Sequence, residues 1–527
     1  MSLYLGLDSS TQSLTAMVLD VDGGRAEVVF ESSLQFDEAL PQYGTRHGVL
    51  PRSDPAVAVS SPLLWADALD VMMARIAASG LDLRWLEAIA GSAQQHGSVY
   101  LNAGAASLLA QLDPCRRPSA QLAAALSRLV APIWMDSSTS AECTEIAAAV
   151  GGSTTLAEHT GSRAFERFTG PQIRKFFKTD PAAYAATARI HLVSSFLASL
   201  LAGHDAPIDP GDASGTNLMD LAEAKWWPAA LEATAPLLGS KLPRIAPSWT
   251  IAGTLSPYWQ RRHRLPAARV VSWSGDNPCS LIGTGLVREG VAAISLGTSD
   301  TIFGLMHAPR IDRTLTGHVF GAPTGDYMGL TCFTNGSLAR ERVRDMFGLT
   351  WSGFSQVLAA TPPGNHGRVL LPWFDPEITP PVLTAGVRRY GLAEDDGPGH
   401  VRGVVEGQML SIARHSRWMG VAFNEIRATG GAAANRAILQ VMADVFGADV
   451  QRFAVGNSAC LGAALRARHA HAVVAGDGVS WDDIVRDVVP TADRVKPDPS
   501  RHAIYQELMQ VHAACEADAV DQVNRTT

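Results

Sequence analysis

A chain of 527 residues exceeds what one hydrophobic core usually serves, which points to two sizeable domains. With 46% hydrophobic and 18% charged residues it can build buried cores, a balance that excludes a disordered chain. The formal net charge of -8, with Lys and Arg scattered and not gathered into blocks, leaves no electrostatic footprint for a nucleic-acid partner.

The first element, Leu3 to Asp20, reads as an apolar strand, the polar turn DSSTQS and a second strand over Leu14 to Leu19, closed by Asp22-Gly23-Gly24. Asp8 cuts the apolar run Leu3 to Leu7, so no secretory segment fits there. Ser9, Ser10 and Thr11 follow Asp8 and offer backbone N–H groups and hydroxyls to an anion, against which the Asp8 carboxylate could hold a Mg²⁺. The same residues also suit an ordinary hairpin turn that bonds its own backbone.

Helical spacing runs over Pro62 to Ser79 and Ala182 to Gly203, and the Ala- and Leu-rich stretch Leu101 to Val130 reads as a helical surface elaboration that could border an oligomer contact. The apolar stretch Leu192 to Leu201 is interrupted by serines and is too short to span a bilayer. Cys115, Cys143, Cys279, Cys332, Cys460 and Cys515 form no CxxC pair, so neither a zinc site nor a disulfide framework is expected. The expectation is a cytoplasmic protein with reduced thiols and no membrane partner.

Composition changes from the Pro- and Arg-rich stretch Trp259 to Pro266 to the apolar run Ala268 to Ser272, which predicts domains over 1–266 and 267–527. The segment SWSGDNP then puts Asp276 in a turn after a buried strand, Val270 to Trp273. A carboxylate there is a candidate general base for a hydroxyl group, or else the side chain of an Asx turn set by Asp-Asn-Pro. His96 in SAQQHGS and Arg167 in AFERFTG complete the polar set, each either a hydroxyl ligand or a structural residue satisfied by its neighbours.

Val291 to Leu296, the turn Gly297 to Thr301 and Ile302 to Met306 repeat the strand-turn-strand event of the N-terminus. Gly297 permits close backbone approach, and Thr298 and Ser299 supply hydroxyls, so two such turns could grip a polyphosphate from both sides; a ligand-free glycine hairpin is the alternative. Further on, a strand ends in Thr429-Gly430-Gly431, and a helix with Ile438, Leu439, Met442, Val445 and Phe446 on its apolar side follows. Glycines at that junction admit a flat ligand such as adenine, or merely make a tight connection. Short strands alternating with helices in both halves give an α/β class.

Six segments in register, GSAQQHGSVYL (91–101), WMDSST (134–139), GSRAFERFTG (161–170), SGDNP (274–278), SLGTSDT (295–301) and ATGGAAAN (428–435), resemble the FGGY family of carbohydrate kinases, and within it the animal-type xylulose kinases. The similarity runs along nearly the whole chain. One departure is Phe177, which stands where most members carry Trp in the family's first signature.

The resemblance implies a two-domain, actin-like and ribonuclease H-like duplicated fold, with ATP and a sugar meeting in the cleft between the domains. It implies ATP-dependent phosphorylation of D-xylulose to D-xylulose 5-phosphate with Mg²⁺. Another ketose or polyol, such as ribulose or glycerol, or a catalytically silent sugar-binding relative, is the alternative. Position by position, Asp276 matches the catalytic base, and Asn277, His96, Arg167 and Trp134 match sugar contacts. Asp8 and Thr11 match the first phosphate motif, Asp8 also as the metal ligand, and Gly297 and Thr298 match the second. Gly430, Gly431 and Asn435 match the adenosine motif, and Trp351 in LTWSGF falls near the nucleotide. The expected partners are a small sugar and ATP, and a homodimer is compatible with them.

Overall fold

A computed structural model forms the N-terminal hairpin as strands Ser2–Ser9 and Ser13–Asp22, antiparallel, with Asp8 paired to Thr15. It describes residues 2–453, 456–487 and 494–526. These fall into two units: Met1–Val287 with Val319–Tyr327 and Gly456–Val489, and Arg288–His318 with Met328–Val455 and Pro490–Thr527.

In the first unit the sheet order is Ile251–Thr254, Arg269–Val271, Leu86–Ala93, Ser2–Ser9, Ser13–Asp22, Arg25–Gln35, and Ser274–Gly275 also pairs with Leu86–Ala93. The first strand is a continuous apolar run because it is covered on both faces. Gly6 shows how closely one cover sits: a Cβ there would lie 2.3 Å from the Cys460 carbonyl oxygen on helix Ser458–Ala475.

The opposite cover includes helices Pro62–Ala77 and Val193–Ala202, and Trp65, Trp259 and Trp273 are wholly buried in this core. Truncating a side chain of that size to Ala costs about 3–5 kcal/mol. Ser61 caps the first of these helices by accepting from Leu63 N–H at 3.3 Å, and Pro62 occupies the first turn, where a missing N–H is harmless.

Helix Ser458–Ala475 reaches the first unit only after the chain has built most of the second. Its Arg466, fully buried, donates to three backbone carbonyls of earlier segments: Gly91 at 3.0 Å, Ser248 at 3.0 Å and Ser272 at 2.7 Å.

The second unit repeats the pattern. Val291–Leu296 is antiparallel to Asp300–Met306 and parallel to Glu425–Thr429, as Ser2–Ser9 is to Ser13–Asp22 and Leu86–Ala93. Asp449–Arg452 then continues the sheet in parallel beside Glu425–Thr429. The expected α/β fold with two hairpin-led halves is therefore present.

Three local expectations are corrected. The 182–203 segment is helix Pro181–Ala186, strand Thr187–Leu192 and helix Val193–Ala202, because Thr187–Leu192 finds a distant antiparallel partner in Ser98–Asn102. The 101–130 stretch holds the short helices Ala105–Ala110 and Ser119–Leu122 and the 3-10 turn Ala123–Ala125; Pro114 and Pro118 remove the donors a longer helix needs. Asp276 does not sit in a turn; it is the first residue of helix Asp276–Gly283, whose first turn tolerates Pro278.

The composition change at 266–267 falls inside the first unit, between helix Pro257–His263 and strand Arg269–Val271. Among the described residues, no helix is long and apolar enough to cross a membrane.

Candidate active site

The first unit gathers polar side chains at one end of its sheet. The parallel register sets Asp8 opposite Ser92, and Ser92 opposite Ser274, across three neighbouring strands. Asp8 Oδ1 is buried with no hydrogen-bond partner among the described residues, and burial pushes the Asp8 carboxyl above its ordinary pKa. An acceptor left in that state fits a cation or its bound water.

Asp276 follows immediately at the head of its helix. Its Oδ1 accepts from the Asn277 N–H at 2.8 Å and from Asn277 Nδ2 at 3.2 Å, and the same Nδ2 donates to Gln95 Oε1 at 2.9 Å. Gln95 is fixed in turn by donating to the Gly211 carbonyl at 3.3 Å. The protein packed around the Asp276 carboxyl, and then the Asp8 charge, push its pKa up to about 7. A carboxylate poised near neutrality exchanges protons at working pH, which an ordinary Asp does not.

His96 adopts a left-handed backbone (φ 71), and its Nδ1 lies 2.7 Å from the Gly215 carbonyl oxygen. Burial, followed by the nearby Arg167 charge, lowers its pKa to about 3, so the ring is neutral. Since a carbonyl only accepts, Nδ1 carries the proton and Nε2 is an acceptor. Arg167 lies over the rings of Phe165 and Phe168, 5.1 and 5.8 Å from their centroids, and Phe168 stacks obliquely on His96 at 4.6 Å. Gly215 ties the groups together: a Cβ on it would meet the His96 ring at 3.1 Å and Gln95 Nε2 at 3.3 Å. Trp134, 44% exposed, donates from Nε1 to Thr11 Oγ1 at 2.8 Å.

The second unit brings the remaining sequence candidates to one place. Turn residues Gly297 and Thr298 lie against two glycines: a Cβ on Gly336 would be 2.6 Å from the Thr298 carbonyl oxygen, and one on Gly430 (φ 84) would be 2.5 Å from that of Leu296. Ser337, opening helix Ser337–Met346, donates its N–H to the Gly297 carbonyl at 2.8 Å.

Beside them is a cavity of about 490 Å³ whose lining includes Ser337, Glu341, Trp351, Ser355, Gly431 and Asn435. Asn435 caps helix Arg436–Phe446 through Oδ1 and donates from Nδ2 to Ser355 Oγ at 2.7 Å. Trp351 is 42% exposed, and the Arg344 guanidinium lies 4.6 Å from its ring centroid. A flat aromatic wall, a glycine floor and a polar corner suit a heteroaromatic base.

Sequence reasoning did not single out Gln95, Ser355 or Glu341. Ser355 lies one helical turn beyond Trp351, so its place on the same face was readable from helical spacing. Asp212, also not singled out, is fully buried, bonded by Ser194 Oγ, and raised well above its ordinary pKa by burial, with Asp276 among the charges that raise it. Among the described residues, no three His, Cys, Asp or Glu side chains cluster to hold a metal by themselves.

Comparison with known proteins shows the family. The model of the N-terminal domain of the FGGY family of carbohydrate kinases matches residues 3–283, and that of the C-terminal domain matches 292–471. The chain is 41% identical to a xylulose kinase of Rattus norvegicus, over 97% of this chain and 96% of that protein. It is 43% identical to xylulose kinase 2 of Arabidopsis thaliana, over 89% and 87%. The solved xylulose kinase of Rhodospirillum rubrum superposes with a TM-score of 0.83 at 21% identity, covering 99% of this chain and all of the other, a likeness of fold.

Proposed function

The chain belongs to the FGGY family of carbohydrate kinases, which use ATP, and on that premise we propose that it phosphorylates D-xylulose to D-xylulose 5-phosphate. The observation that carries the chemistry is Asp276, a partly exposed carboxylate with a pKa of about 7 at the head of a helix. The choice of sugar rests on the relatives named xylulose kinase, which match nearly the whole chain.

In this reading a terminal sugar hydroxyl loses its proton to Asp276 while its oxygen attacks the γ-phosphorus of ATP in line, and the bond from that phosphorus to the β-bridging oxygen breaks to release ADP. Asn277 holds Oδ1 by two contacts, so Oδ2 is the oxygen that takes the proton. His96 Nε2 accepts a hydrogen bond from one sugar hydroxyl, and Arg167 donates to another oxygen of the sugar. Trp134 walls the sugar, and Thr11 belongs to the first phosphate turn.

Asp8, with its unpartnered oxygen, is the residue that would hold a Mg²⁺ together with the nucleotide. When bound, that ion neutralises charge on the phosphate oxygens. Gly297, Thr298, Gly430, Gly431, Asn435 and Trp351 take the nucleotide. Six unpaired thiols suit a reducing compartment, and the reading assigns the enzyme to the cytoplasm.

A coupled assay of ADP release, run with D-xylulose, ribulose, glycerol and no sugar, tests the proposal. D-xylulose should give the highest kcat/KM. Faster turnover of another acceptor would replace the substrate, and ADP release indifferent to every sugar would sink the reading.

A further inference from the structure

Glu341 is a carboxylate on the wall of the nucleotide cavity that, among the described residues, makes no hydrogen bond or ion pair. Its neighbours in sequence are engaged elsewhere: Arg342 pairs with Asp375 at 3.0 Å, and Arg344 pairs with Asp345 at 2.6 Å while covering Trp351. An ionised carboxylate only accepts hydrogen bonds, so it repels phosphate oxygens and suits the part of a ligand that carries donors.

Helix Ser337–Met346 sets the order in which a ligand's parts meet the protein. At its start, Ser337 is bonded to the phosphate turn through Gly297. Glu341 follows four residues later, on the same face and about 6 Å further along the axis. Arg344, almost another turn on, marks the level of the Trp351 ring. Phosphates at the turn and a base at Trp351 leave the middle of the cavity, where Glu341 stands, for the ribose. We propose that Glu341 binds the ribose hydroxyls of ATP and so makes the enzyme select ribonucleotides over deoxyribonucleotides. The inference rests on the reading that ATP occupies this cavity.

The test compares kcat/KM for ATP, 2′-deoxy-ATP and 3′-deoxy-ATP, with sugar saturating, in the unmodified enzyme and in Glu341→Ala and Glu341→Gln. The unmodified enzyme should prefer ATP over at least one deoxy analogue by roughly tenfold, the worth of a charge-assisted hydrogen bond at a half-exposed site. Glu341→Ala should bring that ratio close to one, and Glu341→Gln, which keeps an acceptor oxygen, should restore part of it. Alanine is the best helix former, so the Ala variant is expected to fold.

Equal use of ATP and both analogues by the unmodified enzyme, or a preference that survives Glu341→Ala, overturns the proposal. Trp351→Ala separates the two ways to fail. If it raises KM for ATP while the ratio ignores Glu341, only the ribose assignment falls. If it leaves KM for ATP unchanged, the cavity is not the nucleotide site and both readings fall.

Discussion

Asp276 and Trp351 stand in opposite surroundings, one in each unit. Around Asp276 the polar atoms are enclosed by protein, several of them without a partner, such as Asp8 Oδ1, Ser92 Oγ and Ser274 Oγ, and His96 is only 7% exposed. Around Trp351 the wall is open, the ring is 42% exposed and Glu341 has no partner at all among the described residues. The difference follows from what each region has to do. Moving a proton at neutral pH requires a carboxylate whose charge is made costly by burial and by a like charge, and Asp8 and the surrounding protein supply both. Holding a nucleotide requires shape and accessible area.

The sharpest way to break this contrast is Asp276→Asn, which keeps the volume and removes the base. It should lower kcat by about 10²- to 10⁴-fold, and calorimetry should find ATP affinity unchanged. Turnover near the unmodified rate would leave Asp276 a structural residue that holds Asn277 and move the base elsewhere.

The same substitution should stabilise the protein at alkaline pH. A carboxyl raised from 3.8 to about 7 holds its proton more tightly folded than unfolded, so folding stability falls as pH rises between those values. Asp276→Asn removes that loss, a gain on the order of a few kcal/mol above neutrality that fades toward pH 4. Thermal unfolding of both proteins across that range measures it; equal Tm differences at both ends would mean that the carboxyl is not strained.

A smaller effect is expected in the open region. Trp351→Ala should raise KM for ATP by roughly tenfold, the scale of one lost aromatic contact, without changing KM for the sugar. A change confined to the sugar would reverse the assignment of the two regions.

Much of the fold was legible because its signals are local. Both hairpins are an apolar run, a small polar turn and another apolar run, and the Gly430 junction precedes an amphipathic helix. Thr187–Leu192 was not legible as a strand, since an Ala-rich flank masks it and its partner lies far away at Ser98–Asn102. The site shows the same division. Asp8, Asp276 and Thr298 advertise themselves as strand-end polar residues. Gln95 acts through Asn277, which is 182 positions away, and Glu341 matters because, among the described residues, it has no hydrogen bond or ion pair, which no sequence pattern displays.

Arg466 carries a consequence for biosynthesis. On the ribosome, the strands Ser2–Ser9, Leu86–Ala93 and Arg269–Val271 emerge long before helix Ser458–Ala475. Until it arrives, the carbonyls of Gly91, Ser248 and Ser272 lack their guanidinium partner and Gly6 lacks its cover. A chain that ends near residue 290 lacks this helix and leaves that face of the sheet uncovered. The first unit gains this cover only once residues 458–475 have been made.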